Sequence, residues 1–358
     1  MKIKIFVDAH VFDGTYQGTT TYIEGLYNAL VKDDKFEITM AASDVDNLKL
    51  HFKDTRFKFV ALPSGSKFRR LAIDIPKIIT KNGYDYAHFQ YITPLVKTCK
   101  YINTIHDILF YDFPEFFPFR YRFVKRRTFK YSALRSDIIC TVSNYSKNAL
   151  VKHFRIKEDK IIVTPNAVSN RVVAKIDVKT KYNLGQYILF VSRFEPRKNH
   201  CLLLRAYLDL NLVKSHKLVF IGKRDDVETH AFNILYNTLT DDIKASILFF
   251  EDVSMTELNS FYSQAALFIY PSVAEGFGIP PLEAAVAGCK VVCSKQTAMA
   301  DFTFFKKYAF DPSDVEDLKI KISAIIKDNN YPYLEIANQV ATDYNWDVIA
   351  SDFSMKLK

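Results

Sequence analysis

The chain has few cysteines, and none fall at framework spacing. The five (Cys99, Cys140, Cys201, Cys289, Cys293) are odd in number and scattered in apolar surroundings. That argues against a disulfide scaffold and fits reduced thiols in a cytosolic compartment. Cys289 and Cys293 straddle a strand start, but no histidine or second cysteine pair joins them to hold a metal. No apolar run approaches the roughly 20 residues that a membrane span needs, so any membrane contact is expected to be peripheral. The opening MKIKIFVDAH lacks the apolar core and cleavage site of a signal peptide and reads as a first strand. Low-complexity tracts and short tandem repeats are missing, and tryptophan occurs once, at Trp346.

What remains is the composition of a water-soluble globular protein, 49% apolar and 25% charged over 358 residues, long enough for two domains of common size. The net charge of +9 is uneven. Residues 1–170 hold 27 Lys and Arg against 17 Asp and Glu, whereas residues 171–358 hold 22 against 23. A partner that needs positive charge is therefore expected at the first half, anionic lipid or nucleic acid being the usual candidates.

Short β-branched and aromatic runs alternate with stretches of helical pattern. The first half has seven strands, near KIKIFVD, FEITMAA, FKFVAL, YDYAHF, YINTIH, DIICTV and KIIVTP. The second has five, near YILFVS, KLVFIG, ASILFF, ALFIY and KVVCS. Alternation of this kind implies parallel sheets with right-handed crossovers. Two such blocks predict an α/β chain of two Rossmann-like doubly wound domains, divided by a linker near residues 168–182. The final segment NWDVIASDFSMKL predicts one more helix, with Trp346, Ile349 and Phe353 at i, i+3, i+7 spacing. Ligands of open parallel sheets bind beyond the carboxyl ends of strands, so the chemistry is expected in strand-to-helix loops lining a cleft between the domains.

Five stretches qualify. AEGFGIPPLEA (274–284) leaves the strand ALFIY and enters a helix with Pro280 and Pro281 in its first turn and Gly288 at its stop. Gly276 and Gly278 would let the backbone approach a phosphate beside a helix N-terminus. Glu283, expected in the first helical turn, suits a pair of vicinal hydroxyls such as those of a ribose, and Glu275 suits hydroxyls at the other end of a nucleotide sugar. Alternatively, both acids merely complement the helix N-terminus. SRFEPRKNH (192–200) follows the strand YILFV. Its Arg193 and Lys198 can neutralise a diphosphate, or the stretch is a solvated basic loop, with Arg197 expected as the more exposed of its cations. His106 and Asp107 close the fifth strand, where an imidazole can bond a sugar hydroxyl or assist proton transfer, or simply be structural. Gly14 and Gly18 precede a helix expected to start near Thr19 or Thr20, a place for an anion or a plain connection. Residues 116–131 interleave Phe and Tyr with Arg120, Arg122, Lys125, Arg126, Arg127 and Lys130. That composition suits an anionic membrane face, or an amphipathic helix with its rings in the core. The Asp44-x-Asp46 pair lies in a polar stretch far from these motifs, and no metal role is expected of it.

Taken together, SRFEPRKNH, YPSVAEGFGIPPLEAAVAG, TIHD, TVSNYSKNAL and VTPNAV resemble, in this order along nearly the whole chain, the retaining glycosyltransferases of family 4 ("glycosyl transferases group 1"), mannosyltransferase-like members among them. The resemblance implies a GT-B fold with an interdomain cleft. An N-terminal acceptor-binding domain would span residues 1–168, a nucleotide-sugar-binding domain 169–344, and a crossover helix 345–358. It implies that Arg193 and Lys198 hold the diphosphate, that Glu275 meets the donor sugar, and that the amides around Gly276, Phe277 and Gly278 lie near it. Glu283 would hold the ribose, His106 would face the transferred sugar or the acceptor, and Gly18 would lie near the phosphates. No metal or other cofactor is implied. Two departures stand out: Gly18-Thr19-Thr20-Thr21 lacks the second glycine and the basic residue common in the family, and Ala167 replaces a usual glycine.

The expected activity is transfer of a hexose, mannose favoured, from a GDP- or UDP-linked sugar to a lipid-linked saccharide acceptor in surface-polysaccharide or lipopolysaccharide assembly. The expected place is cytoplasmic, peripheral at the inner face of the membrane. Another GT-B activity (a sugar-nucleotide epimerase or a sugar-phosphate synthase) and a non-catalytic nucleotide-sugar-binding subunit stay open as alternatives. Nucleic-acid binding is not expected, because anionic lipid accounts for the same charge.

Overall fold

The computed structural model describes residues 2–14, 18–63, 66–168, 176–224 and 230–357. The chain divides into two compact units, Met1–Ala167 with Tyr344–Lys358, and Val168–Asp343. Residues 169–175, inside the expected linker, lie outside the described residues.

The first unit holds a seven-stranded sheet: β1 (Ile3–Asp8), β2 (Phe36–Ala42), β3 (Lys58–Ala61), β4 (Tyr86–Gln90), β5 (Lys100–Thr104), β6 (Ile138–Thr141) and β7 (Ile161–Val163). Their order is β3-β2-β1-β4-β5-β6-β7, every pairing parallel. The second holds β8 (Tyr187–Val191), β9 (Lys217–Ile221), β10 (Ile247–Phe250), β11 (Leu267–Tyr270), β12 (Val291–Ser294) and β13 (Ala309–Phe310), ordered β10-β9-β8-β11-β12-β13 and again parallel. Central strands are buried because helices cover both faces of such a sheet; β11, for instance, is apolar and buried along its whole length. The twelve strands expected from the sequence all form. β13 adds a thirteenth that sequence reasoning missed, and at two residues it carries no periodicity to read.

In both sheets the strand order reverses at one place, between β1 and β4 in the first and between β8 and β11 in the second. Loops leaving neighbouring strands on opposite sides open a crevice there, at the carboxyl edge.

The helix Trp346–Ser354 packs within the first unit against the helix Gly18–Leu30. Asn345 caps it by accepting from Asp347 N at 2.8 Å. Ile349 and Phe353 are buried, and the Phe353 ring stacks on His88 with centroids 6.1 Å apart. The two helices meet where Gly25 has no side chain, since a β-carbon there would overlap the Trp346 indole. Glycine costs about 1 kcal/mol in a helix interior, and here the close approach of the indole leaves no room for a side chain. The helix Gly18–Leu30 begins at Gly18 itself, earlier than Thr19 or Thr20; residues 15–17 lie outside the described residues. Asp44 caps the helix Val45–His51, accepting from Asn47 N, and Asp46 pairs with Lys49.

Candidate active site

The switch point of the second sheet gathers the two motifs separated by some 80 residues of sequence. After β8 the chain makes a single 3-10 turn, Pro196–Lys198, ended by Asn199 in the left-handed conformation (φ 61°). After β11 it runs through buried residues 274–278 into the helix Ile279–Val286. Gly278 precedes this helix at φ 95°, a region that favours glycine, and a β-carbon would come within 3.2 Å of Met299 Cγ.

Lys198 and Glu275 are only 8% and 6% exposed. Lys198 Nζ donates to Glu275 Oε1 at 2.5 Å and to the Tyr270 hydroxyl at 3.1 Å, and that hydroxyl donates to the same carboxylate oxygen at 2.9 Å. Arg197 Nη1 donates to Glu275 Oε2 at 3.1 Å and to the Ala274 carbonyl at 2.8 Å, while Nη2 pairs with Glu195 at 2.6 Å. The Arg197 carbonyl in turn accepts from Val273 N at 2.8 Å and Ser272 Oγ at 3.2 Å. Arg197 therefore clasps the glutamate loop with side chain and backbone alike. This corrects the expectation that it is the more exposed cation of its loop, because the acids at 195 and 275 draw it inward. Arg193 is the exposed one, with no ion-pair partner among the described residues.

Burial raises the Glu275 carboxyl, but the charges of Lys198 and Arg197 outweigh it and bring the group down to about 2. Burial lowers Lys198, against the pull of Glu275. An ionised Glu275 held between two cations is the consistent state of this cluster.

Glu283 stands apart from it. It is the fifth residue of its helix, in the second turn rather than the first, since Ile279 and both prolines come before it. Its Oε2 accepts from the Tyr262 hydroxyl at 2.9 Å, and burial raises its carboxyl above the usual range. The Glu275 amide donates to Thr297 Oγ1 at 3.0 Å, which ties the loop to the segment after β12. Gly222, at the end of β9 with φ 142°, lies so close to the loop after β8 that a β-carbon would overlap the Ser192 carbonyl, one residue before Arg193.

In the first unit His106 lies two residues beyond β5 and is 7% exposed. Its Nε2 is 2.7 Å from Gln90 Oε1. Burial pushes the ring down to about 3, so it is neutral. Gln90, the last residue of β4 and so at the switch point of its own sheet, was missed in the sequence. The available signal was polar His88 and Gln90 on one side of an otherwise apolar strand. Gly18 opens its helix with open space around its Cα. Among the described residues no three His, Cys, Asp or Glu side chains gather as a metal site requires.

The helix Phe119–Arg135 contains most of the basic–aromatic stretch. Only Phe129, Ser132 and Ala133 on it are buried; Phe119 is 70% and Phe123 49% exposed. The rings do not all enter the core. Arg127 lies over the Phe123 ring at 3.6 Å, and Arg122, Arg126 and Lys130 line the same groove as Phe119 and Phe123. No helix among the described residues is long and apolar enough to cross a membrane.

Comparison with known proteins places this geometry. Residues 16–171 match the family described as Glycosyltransferase Family 4, and residues 174–341 match Glycosyl transferases group 1. O-antigen chain mannosyltransferase B of Escherichia coli is 29% identical over 262 residues, 69% of this chain and 67% of that protein. O-antigen chain mannosyltransferase RfbU of Salmonella typhimurium is 31% identical over 193 residues, 53% of this chain and 51% of that protein. The aligned stretches thus span two thirds of the one relative and about half of the other. Among solved structures, sucrose-phosphate synthase from Thermosynechococcus elongatus aligns with a TM-score of 0.78 at 16% identity, over 99% of this chain and 98% of that one, a likeness of fold. With one family matched in each unit and two parallel-sheet units of GT-B type, the chain belongs to the family 4, group 1 glycosyltransferases.

Proposed function

We propose that this glycosyltransferase is a retaining hexosyltransferase. It moves a hexose, mannose favoured, from a nucleoside-diphosphate sugar to a saccharide hydroxyl in surface-polysaccharide assembly, with no metal ion. The observation that carries this reading is the cluster of Lys198, Arg197 and Glu275 beside the exposed Arg193 at the switch point of the second sheet. Fixed cations there stabilise a departing diphosphate. The names of the two mannosyltransferase relatives support the choice of sugar and pathway.

In this mechanism Arg193 and Lys198 hold the diphosphate, and Glu275 accepts from the sugar hydroxyls. Amides around Gly276, Phe277 and Gly278 and the helix opened by Gly18 face the phosphates. Glu283, with Oε2 taken by Tyr262, offers Oε1 to the ribose. His106 accepts from a hydroxyl of the transferred sugar or of the acceptor. The bond from the anomeric carbon to the phosphate oxygen breaks with its electron pair going to the diphosphate. The acceptor oxygen bonds to the same face of that carbon, and its proton passes to the departing phosphate oxygen. The product linkage settles the stereochemistry: proton NMR of the disaccharide unit is expected to show the anomeric configuration of the donor, and an inverted linkage would overturn the mechanism. Titration calorimetry with GDP and UDP is expected to favour GDP.

The acceptor in this reading is lipid-linked, and the helix Phe119–Arg135 seats the protein on an anionic cytoplasmic membrane face. Its exposed rings, with cations laid over them, supply apolar insertion and charge together. Each basic side chain near such a surface is worth about 1 kcal/mol. Replacing the exposed Arg120 and Arg127 with Gln is therefore expected to weaken binding to phosphatidylglycerol-containing vesicles by about 10- to 30-fold. Equal binding of wild type to purely zwitterionic vesicles would remove the anionic surface from the proposal, and no binding to either kind would remove the membrane.

A further inference from the structure

We infer that Gln90 is a positioning residue that sets which nitrogen of His106 meets the substrate. The Gln90 amide oxygen can only accept, so the 2.7 Å contact requires the proton on His106 Nε2. The ring is neutral, which leaves the Nδ1 lone pair as its acceptor, and among the described residues the ring's one hydrogen bond is that at Nε2. A hydroxyl approaching this ring therefore finds an acceptor.

The surroundings hold the ring in place without competing for it. The Tyr22 ring meets the imidazole edge-on with centroids 5.0 Å apart, and Tyr91 lies tilted at 5.5 Å. The Tyr22 hydroxyl is turned to Thr164 at 2.7 Å, and Thr104 Oγ1 donates to it at 3.3 Å. His88, the nearest other imidazole, is satisfied by Tyr27 at 2.6 Å and Thr104 at 2.7 Å, and burial keeps it neutral too. Gln90 is thus the one described side chain hydrogen-bonded to the His106 ring. It is 6% exposed, at the end of the strand where the first sheet reverses its order. Its own Nε2 is buried with no partner among the described residues. A buried amide donor left unpaired costs about 1–3 kcal/mol, a cost that a ligand oxygen beside His106 would relieve. The placement of donor and acceptor on either side of one hydrogen bond suits a polyhydroxylated substrate, which can give and take hydrogen bonds at neighbouring atoms.

The kinetic part of this inference rests on the transferase reading, but the spectroscopic part does not. In protein carrying 15N-labelled histidine, two-bond nitrogen–proton correlation spectra, with His106 assigned by its loss in His106→Gln, are expected to show a neutral ring protonated at Nε2. In Gln90→Leu the same signals are expected to report a mixture of tautomers. A wild-type ring protonated at Nδ1, or an unchanged Nε2 tautomer in Gln90→Leu, overturns the inference whatever the reaction proves to be. Gln90→Asn, which keeps the amide on a shorter stem, guards against a variant that fails to fold, and is expected to fall between the two. For transfer, Gln90→Leu is expected to lose about 10- to 100-fold in kcat/KM, the scale of a misplaced reacting group. In a His106→Gln background the further loss is expected to vanish. An undiminished loss in that background would mean that Gln90 acts on its own account.

Discussion

Replacing Glu275 with Gln is expected to cut kcat/KM for sugar transfer by at least about 100-fold, the scale seen when one charge-stabilising group is removed from a preorganised site. The side chain keeps its volume, and its amide oxygen can still accept from Lys198. What disappears is the negative charge that balances Lys198 at 2.5 Å and, together with Glu195, Arg197 at 3.1 Å. Breaking a buried ion pair from one side costs about 3–5 kcal/mol, because the surviving charge stays buried. The variant is therefore expected to melt earlier as well, so activity has to be measured well below its transition. Wild-type-like turnover in Glu275→Gln would take the residue out of the site.

The same cluster predicts a pH dependence. Glu275 sits near 2 in the folded chain, against an ordinary value of 4.5. A carboxylate lowered by folding contributes stability that is fully present above the unfolded value and is lost as protons bind both states. The difference in stability between wild type and Glu275→Gln is therefore expected to shrink as the pH falls from about 4.5 toward 2. A constant difference across that window would mean that the carboxylate is not held by its neighbours as described.

Gly222→Ala is expected to be the most damaging change that adds a single carbon. The amide of Gly222 is fixed by a 2.8 Å bond to the Phe250 carbonyl, and its φ of 142° is foreign to residues with a β-carbon. The added methyl meets backbone, the Ser192 carbonyl, which cannot rotate away as a side chain could. Backbone strain of about 1–3 kcal/mol and overpacking of about 1–3 kcal/mol combine here. For a unit of this size the melting temperature is expected to fall by roughly 10 °C, read by scanning calorimetry. Gly185→Ala is the control: its φ of 61° is also left-handed, but the space around it is open, so only the strain applies. The two effects also differ in function, because Ser192 leads directly into Arg193, and only Gly222→Ala is expected to weaken nucleoside-diphosphate binding.

Much of this was legible in the sequence, for reasons that particular residues make clear. Strands such as YILFV and ALFIY announce themselves because a parallel sheet buries both faces, so every position is apolar. Gly278 and the proline pair mark the start of a helix through backbone chemistry that belongs to those residues alone. The contents of the site were harder to read. Arg197 looked like one more surface cation, since its inward turn depends on Glu195 and on a loop 80 residues away. Glu283 was placed a turn too early because Ile279, which gives no sign of its own, already belongs to the helix. Gln90 carries no motif, and its meaning comes from His106, which the fold brings beside it from the next strand. Spacing along a chain reports local geometry, whereas partnerships across strands are set by the order of the sheet.

The contact between Gly25 and Trp346 also imposes an order of events during synthesis. The helix Gly18–Leu30 is made before Val168–Asp343, yet the indole that covers it belongs to a segment made after the whole of that unit. At about 5–20 residues per second, a ribosome needs roughly 9 to 35 s to cross that interval. For that time the apolar side of the first unit around Gly25 and His88 has no Trp346 or Phe353 to cover it. The first unit is thus completed only after the second has been made, and until then its face around Gly25 stays uncovered.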